Sequence, residues 1–154
     1  MSGFTLQQDR VDRPEVAALI ARHHKLMRDT SPPESCHVMD ASELGEAGAT
    51  LFSLSDGAQV VGIGAIKQIA PDHGEIKSMH VASEARGKGA SKALLTALID
   101  AAKQAGFSRV SLETGVEDVF EPARGLYLSF GFEICPPFAD YTHDPLSVFM
   151  TKQI

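Results

Sequence analysis

The chain has few cysteines, no long apolar run and no surplus of positive charge. Its 154 residues hold two cysteines, Cys36 and Cys135, far apart and outside any metal-type spacing. A disulfide framework is therefore excluded, and reduced thiols are expected. No stretch approaches the roughly 20 apolar residues of a membrane helix. The segment Met1 to Arg10 lacks a basic and then apolar leader pattern, so a cytoplasmic protein with no membrane partner is expected. A net charge of −6 argues against a general nucleic-acid binder, which needs a basic surplus. The same charge is compatible with a cationic substrate. The histidines fall at 23, 24, 37, 73, 80 and 143, and no pair has the spacing of a metal site, so no metal is expected. Repeats, linkers and low-complexity segments are absent. One domain spanning residues 1–154 is expected, long enough to build a full core.

Hydrophobic periodicity divides the chain into elements. Phe4 and Leu6 alternate with polar residues, as in a short strand. Asp12 and Glu15 have the spacing of a capping box, with Pro14 in the first turn, and Val16, Leu19, Ile20 and Met27 continue a helix to about Arg28. The segment Ser31 to Ser35 breaks it, and a weak helix follows near Ser42 to Leu44. Strands are predicted from Thr50 to Leu54, Gln59 to Ile69 and Glu75 to Ala82, the first two joined by an Asp56-Gly57 turn. Gly62 and Gly64 point to a close approach or bend within the second. A long helix carries Ala90, Leu94, Ala97, Leu98, Ala101 and Ala105, with Gly106 at its C-terminal cap. Arg109 to Thr114 then forms a strand parallel to the one at 75–82, because a helix crosses between them. A second helix from Glu121 to Phe130, closed by Gly131, precedes strands at Phe132 to Cys135 and Ser147 to Thr151.

The junction at 81–91, Val-Ala-Ser-Glu-Ala-Arg-Gly-Lys-Gly-Ala-Ser, carries the most chemistry. A strand that ends in a glycine turn at a helix N-terminus leaves N–H groups unpaired and pointing one way. The helix dipole adds its positive end there, so the junction is an anion site suited to a phosphorylated ligand. A Walker-type loop requires glycine where Ala82 stands and Ser or Thr where Gly89 stands. A dinucleotide fingerprint requires glycine at Lys92. Both fail.

Arg86-Gly87-Lys88-Gly89-Ala90-Ser91 resembles the pyrophosphate loop of the GNAT superfamily of N-acetyltransferases. Ala123, Tyr127, Gly131 and Phe132 resemble that family's second motif, Ala-x-x-x-Tyr-x-x-x-Gly-Phe. The likeness covers most of the chain and extends to the order of strands and helices. Two positions depart from the pattern. Ser91 replaces a Gly or Ala, and Phe120 stands where Asn is frequent, which puts one polar coenzyme contact in doubt.

The resemblance implies an α/β fold with a mixed, mostly antiparallel, splayed sheet of about six to seven strands and about four helices. It also implies acetyl-coenzyme A as co-substrate. The pyrophosphate would lie on Arg86, Gly87, Lys88, Gly89, Ala90 and Ser91, and the pantetheine chain along Met79, His80 and Val81. The reaction implied is direct acetyl transfer to a primary amine of a small molecule or peptide. The alternatives are a non-catalytic acyl-coenzyme-A sensor and transfer to a hydroxyl. Tyr127 matches the family's acid, whose hydroxyl approaches the coenzyme sulfur; its structural alternative is a core tyrosine beside Leu126 and Phe130. Glu75 matches a glutamate base in one branch, and Lys77 two residues on offers it a plain ion pair instead. Glu113, at the end of the strand across the splay, is the second candidate base. Phe138, Asp140 and Tyr141 would shape an acceptor pocket, with Asp140 as counter-charge, or form a rigid connection. Arg28 or Glu34 would border the same site. A homodimer is a family-level expectation.

Overall fold

A computed structural model describes residues 3–30, 48–85, 87–139 and 141–154. The expected break at Ser31 to Ser35, with Glu34, Cys36 and His37, and the short helix near Ser42 to Leu44 lie outside these residues. So do Arg86 and Asp140.

The described elements are β1 (Phe4–Gln8), α1 (Pro14–Thr30), β2 (Thr50–Asp56), β3 (Gln59–Ala70), β4 (His73–Val81), α2 (Ala90–Gln104), β5 (Arg109–Gly115), α3 (Glu121–Ser129), β6 (Glu133–Cys135) and β7 (Ser147–Gln153). The strands make one seven-stranded sheet in the order β1-β2-β3-β4-β5-β7-β6. Every neighbouring pair is antiparallel except β4 and β5, which are parallel across the α2 crossover. The mixed, mostly antiparallel sheet thus matches the expectation. What periodicity did not order is the end of the chain, where β7 inserts between β5 and β6. No helix among the described residues is long and apolar enough to cross a membrane.

Local chemistry accounts for the element ends. Asp56 pairs with Gln59 across a two-residue turn that opens on Gly57 at φ 63°, the positive φ such hairpins require. Helix α2 closes at Gly106 (φ 93°), whose N–H donates to Lys103 O while Phe107 N–H donates to Ala102 O. This is the paired bonding of a glycine C-cap. Gly131 ends α3 in the same way, through Leu128 O and Tyr127 O. The Asp12–Glu15 capping box does not form. The first helical bond runs from Ala17 N–H to Arg13 O, one residue later than the box needs, and the Asp12 carboxylate takes the Arg10 guanidinium.

Each face of the sheet buries its own core. On one face α1 packs Val16, Leu19 and Ile20 against Leu51, Ile63 and Ala65. On the other, α2 and α3 bring Leu94, Leu98 and Tyr127 onto Leu54, Ile66, Val110 and Met150. The buried stripe of α2 runs through Ala90, Leu94, Leu95, Leu98, Ile99 and Ala102. Its bulky residues set that face and leave Ala105 exposed. The close approach expected at the β3 glycines is present, because a Cβ at Gly64 would stand 2.6 Å from Leu98 Cδ1. Leu98 is fully buried and has nowhere to retreat. Gly64→Ala should therefore overpack the core and destabilise the protein by about 1–3 kcal/mol, read as a lower midpoint in urea unfolding at unchanged slope.

Candidate active site

Strands β4 and β5 pair only from His73 with Arg109 to Glu75 with Ser111. Beyond Glu75 the two diverge, although β4 stays paired with β3 and β5 with β7. The result is a wedge through the sheet, occupied by a cavity of about 550 Å³ that reaches from Gly87 and Ser91 to Tyr141.

A bulge in β4 decides which side chains face which side of this wedge. Between the pairs Ala65–Lys77 and Ile63–His80, two steps on β3 oppose three on β4, and Ser78 takes φ 54°. The extra residue resets the alternation. Glu75, Lys77 and His80 point toward α1, while Ile76, Met79 and Val81 point toward α2 and α3.

The α2–α3 side carries most of the described residues expected to hold the coenzyme, whereas His80 turns to α1 beside His23. Gly87 (φ 81°) and Gly89 (φ 83°) flank the exposed Lys88, and Gly89 is the N-cap of α2 with no side-chain cap. A Cβ built on either glycine meets nothing within 4 Å, so the loop surface is open to a ligand. The first N–H groups of an α-helix have no partner within it, and roughly half a positive charge sits at that end. A pyrophosphate fits this open, donor-rich helix start. Ala90 is buried beneath it, and Ser91 lines the cavity. Deeper in, the Tyr127 hydroxyl donates to Met79 Sδ at 3.9 Å. Burial pushes the Tyr127 phenol up to about 12, so at neutral pH it remains a donor.

The opposite side carries the residues expected to act on the acceptor. Lys77 Nζ donates to Glu75 Oε2 at 3.0 Å and to the Tyr141 hydroxyl at 2.8 Å, and that hydroxyl donates to the same Oε2 at 2.6 Å. This closed triangle lies where the strands begin to part. Burial and the neighbouring Glu75 carboxylate hold the Tyr141 phenol far above its ordinary value. Phe138 and Phe149 pack around Tyr141 at 5.3 and 5.4 Å between ring centroids. Glu113, on β5, receives the Ser147 hydroxyl at 2.7 Å. The wedge therefore brings Glu75, Glu113, Tyr127 and Tyr141 around one cavity, and Phe138 does not line it but packs on Tyr141.

Some contributors lay outside the sequence reading. The Phe120 ring sits where any Cβ at Gly115 would collide with it, so this pair forms an apolar wall at the end of β5. Arg124 donates to Gly115 O at 2.7 Å and Glu117 O at 3.0 Å, fixing the β5–α3 connection. His23 occupies the helical position after Ile20 and lines the cavity with its ring 5.3 Å from that of His80. Its spacing on the apolar face of α1 was the available signal.

Burial, with His80 and His24 nearby, lowers the His23 imidazole to about 3 from its ordinary 6.5. Above pH 6.5 neither folded nor unfolded chain protonates it, so it contributes no pH dependence there. Below that, the unfolded chain takes up a proton that the folded one refuses, and stability falls with pH by about 1 kcal/mol per unit. The unfolding free energy of the wild type, minus that of His23→Gln, should accordingly decrease from pH 7 to pH 4. A constant difference would show that the folded imidazole protonates normally.

The acetyltransferase (GNAT) family model matches residues 16–132. The uncharacterized N-acetyltransferase YsnE of Bacillus subtilis is 45% identical over 140 residues, covering 91% of this chain and 93% of the relative. The uncharacterized N-acetyltransferase YedL of Escherichia coli is 40% identical over 148 residues, covering 96% and 93%. Among solved structures, a GNAT family acetyltransferase from Elizabethkingia anophelis with acetyl-CoA bound superposes with a TM-score of 0.74 over 100% of both chains, at 16% identity. With its fold, its glycine loop and most of its length matched, the chain belongs to the GNAT family of acetyltransferases and is an acyltransferase.

Proposed function

We propose that the protein transfers an acetyl group from acetyl-coenzyme A directly to a primary amine of a small molecule or peptide. The observation that carries this reading is the continuous cavity. Its lining runs from the glycine loop to the Tyr127 side chain and the two carboxylates of Glu75 and Glu113. Amides at 87–91 hold the pyrophosphate. The β4 segment from Met79 to Val81, beyond the last β4–β5 pair, offers main-chain groups to the pantetheine chain. A backbone donor fixed at the thioester oxygen stabilises developing charge there by about 3–4 kcal/mol.

In the transfer a C–N bond forms and the C–S bond breaks, its electron pair going to sulfur. The acceptor nitrogen loses two protons overall. One ends on sulfur by way of Tyr127, and the other leaves through a carboxylate to solvent. Of the two carboxylates, Glu75 is closed into the triangle with Lys77 and Tyr141. Its Oε2 is already engaged by the Lys77 ammonium and the Tyr141 hydroxyl. Glu113, which receives the Ser147 hydroxyl at the open end of the wedge, takes the proton instead. Glu75 then keeps Tyr141 and the Phe138 loop in place, and Asp140 is assigned by its charge alone as the counter-charge for a cationic acceptor.

Thiol release from acetyl-coenzyme A, measured against a broad panel of amines and peptides, tests the reading and names the acceptor. Tyr127→Phe should lower kcat by about 100-fold or more while coenzyme affinity stays within a few-fold. Full turnover in that variant would remove Tyr127 from the acid role. Glu113→Gln should abolish the acidic limb of the pH–rate profile. Glu75→Gln should lower stability and keep that limb; the opposite outcome would make Glu75 the base.

A further inference from the structure

We propose that the side chain of Met79 is the wall that limits the length of the transferred acyl group. This inference rests on the reading of Tyr127 as the group that protonates sulfur. It assigns the selectivity for the donor, which the glycine loop does not determine.

The placement of Met79 is a product of the bulge. In an unbroken ladder, residue 79 would follow Glu75 and Lys77 onto the α1 side. The extra residue, with Ser78 at φ 54°, turns Met79 to the other side instead. A positive φ at a non-glycine residue is uncommon and costs about 1 kcal/mol or more, so the surrounding packing enforces it. Met79 is half-buried, packs on the core cluster beside α2 and α3, and lines the cavity. Its Sδ is 3.9 Å from the Tyr127 hydroxyl.

A reacting thioester must bring its own sulfur within hydrogen-bond reach of that same hydroxyl. The acyl carbon is bonded directly to this sulfur, so the acyl chain begins next to the Met79 thioether. Met79 packs against the buried core cluster that includes Tyr127 and Leu112, and both of these also line the cavity. Methionine is unbranched and has a soft thioether, so it yields to a two-carbon acyl group by changing rotamer. A chain longer by a methylene or two would have to push it into a close-packed core, which resists such insertion. In the free enzyme the Met79 thioether also satisfies the buried phenol, one sulfur acceptor standing where another will arrive.

The test compares acetyl-, propionyl- and butyryl-coenzyme A as donors with one acceptor amine, for wild type and for Met79→Leu, Met79→Val and Met79→Ala. One methylene in an apolar pocket changes kcat/KM by roughly 10–200-fold. Wild type and Met79→Leu should prefer acetyl over butyryl. The ratio should move toward butyryl through Val to Ala, by about tenfold or more in total. The Leu and Val pair carries the comparison if the Ala variant does not fold. Ratios that stay within twofold across the series would overturn the proposal and leave the assignment of Tyr127 untouched. Full turnover in Tyr127→Phe, by contrast, would remove the sulfur from this place whatever the ratios. Binding of the three coenzymes, followed by calorimetry, supplies the same ratio without turnover, and an unchanged ratio there counts equally against the wall.

Discussion

The hydrogen-bond ladder between β4 and β5 stops after Glu75 and Ser111, and the rest of the structure is arranged around that stop. A sheet strand that loses its neighbour exposes a row of N–H and C=O groups that must be satisfied some other way. Here the loss is confined to one side of each strand. The β3 ladder steadies β4, and the seven paired positions of β7 steady β5. The wedge is thus a gap between two firm half-sheets. Beyond that stop β4 borders the cavity, along which an extended ligand can lie.

Different devices on the two sides keep the wedge open. On the α1 side the Glu75–Lys77–Tyr141 triangle fills the point of divergence with charges that compensate one another, and Tyr141 ties the loop before β7 to β4. Such a buried group contributes little net stability when complete, and removing one member costs about 3–5 kcal/mol. Its value lies in geometry, because all three groups must meet at one carboxylate oxygen. On the other side the Phe120 ring against Gly115 and the Arg124 bonds to the following carbonyls hold the end of β5 away from β4. Phe120 thereby stands as an apolar wall at the end of β5.

The bulge at Ser78 links the two sides. One inserted residue sends His80 to the α1 side, beside His23, and Met79 to Tyr127. The Tyr127 hydroxyl and the Glu75 and Glu113 carboxylates consequently face the same cavity. Direct transfer between a thioester and an amine needs that arrangement, since one proton must reach the sulfur and another must leave the nitrogen within a single enclosed space.

Much of this was legible in the residue order. The glycines at 87 and 89, the helical stripe from Ala90 and the Tyr127–Gly131–Phe132 spacing act through local backbone conformation, which a linear pattern records. The turn at Gly57, the caps at Gly106 and Gly131 and the close approach at Gly64 are legible for the same reason. The capping box at Asp12 does not form, because the helix starts one residue later and the Asp12 carboxylate pairs with the neighbouring Arg10 guanidinium. The ion pair of Glu75 with Lys77 was visible as an alternative from their shared strand face, but its closure by Tyr141, 64 residues beyond Lys77, was not. The sequence by itself determined most of the described elements, the glycine loop and the family, since these depend on short-range spacing. Only the tertiary structure decided where the sheet splits, which side the bulge sends Met79 and His80, and which carboxylate is locked, because those outcomes depend on register and on contacts between residues far apart in the chain.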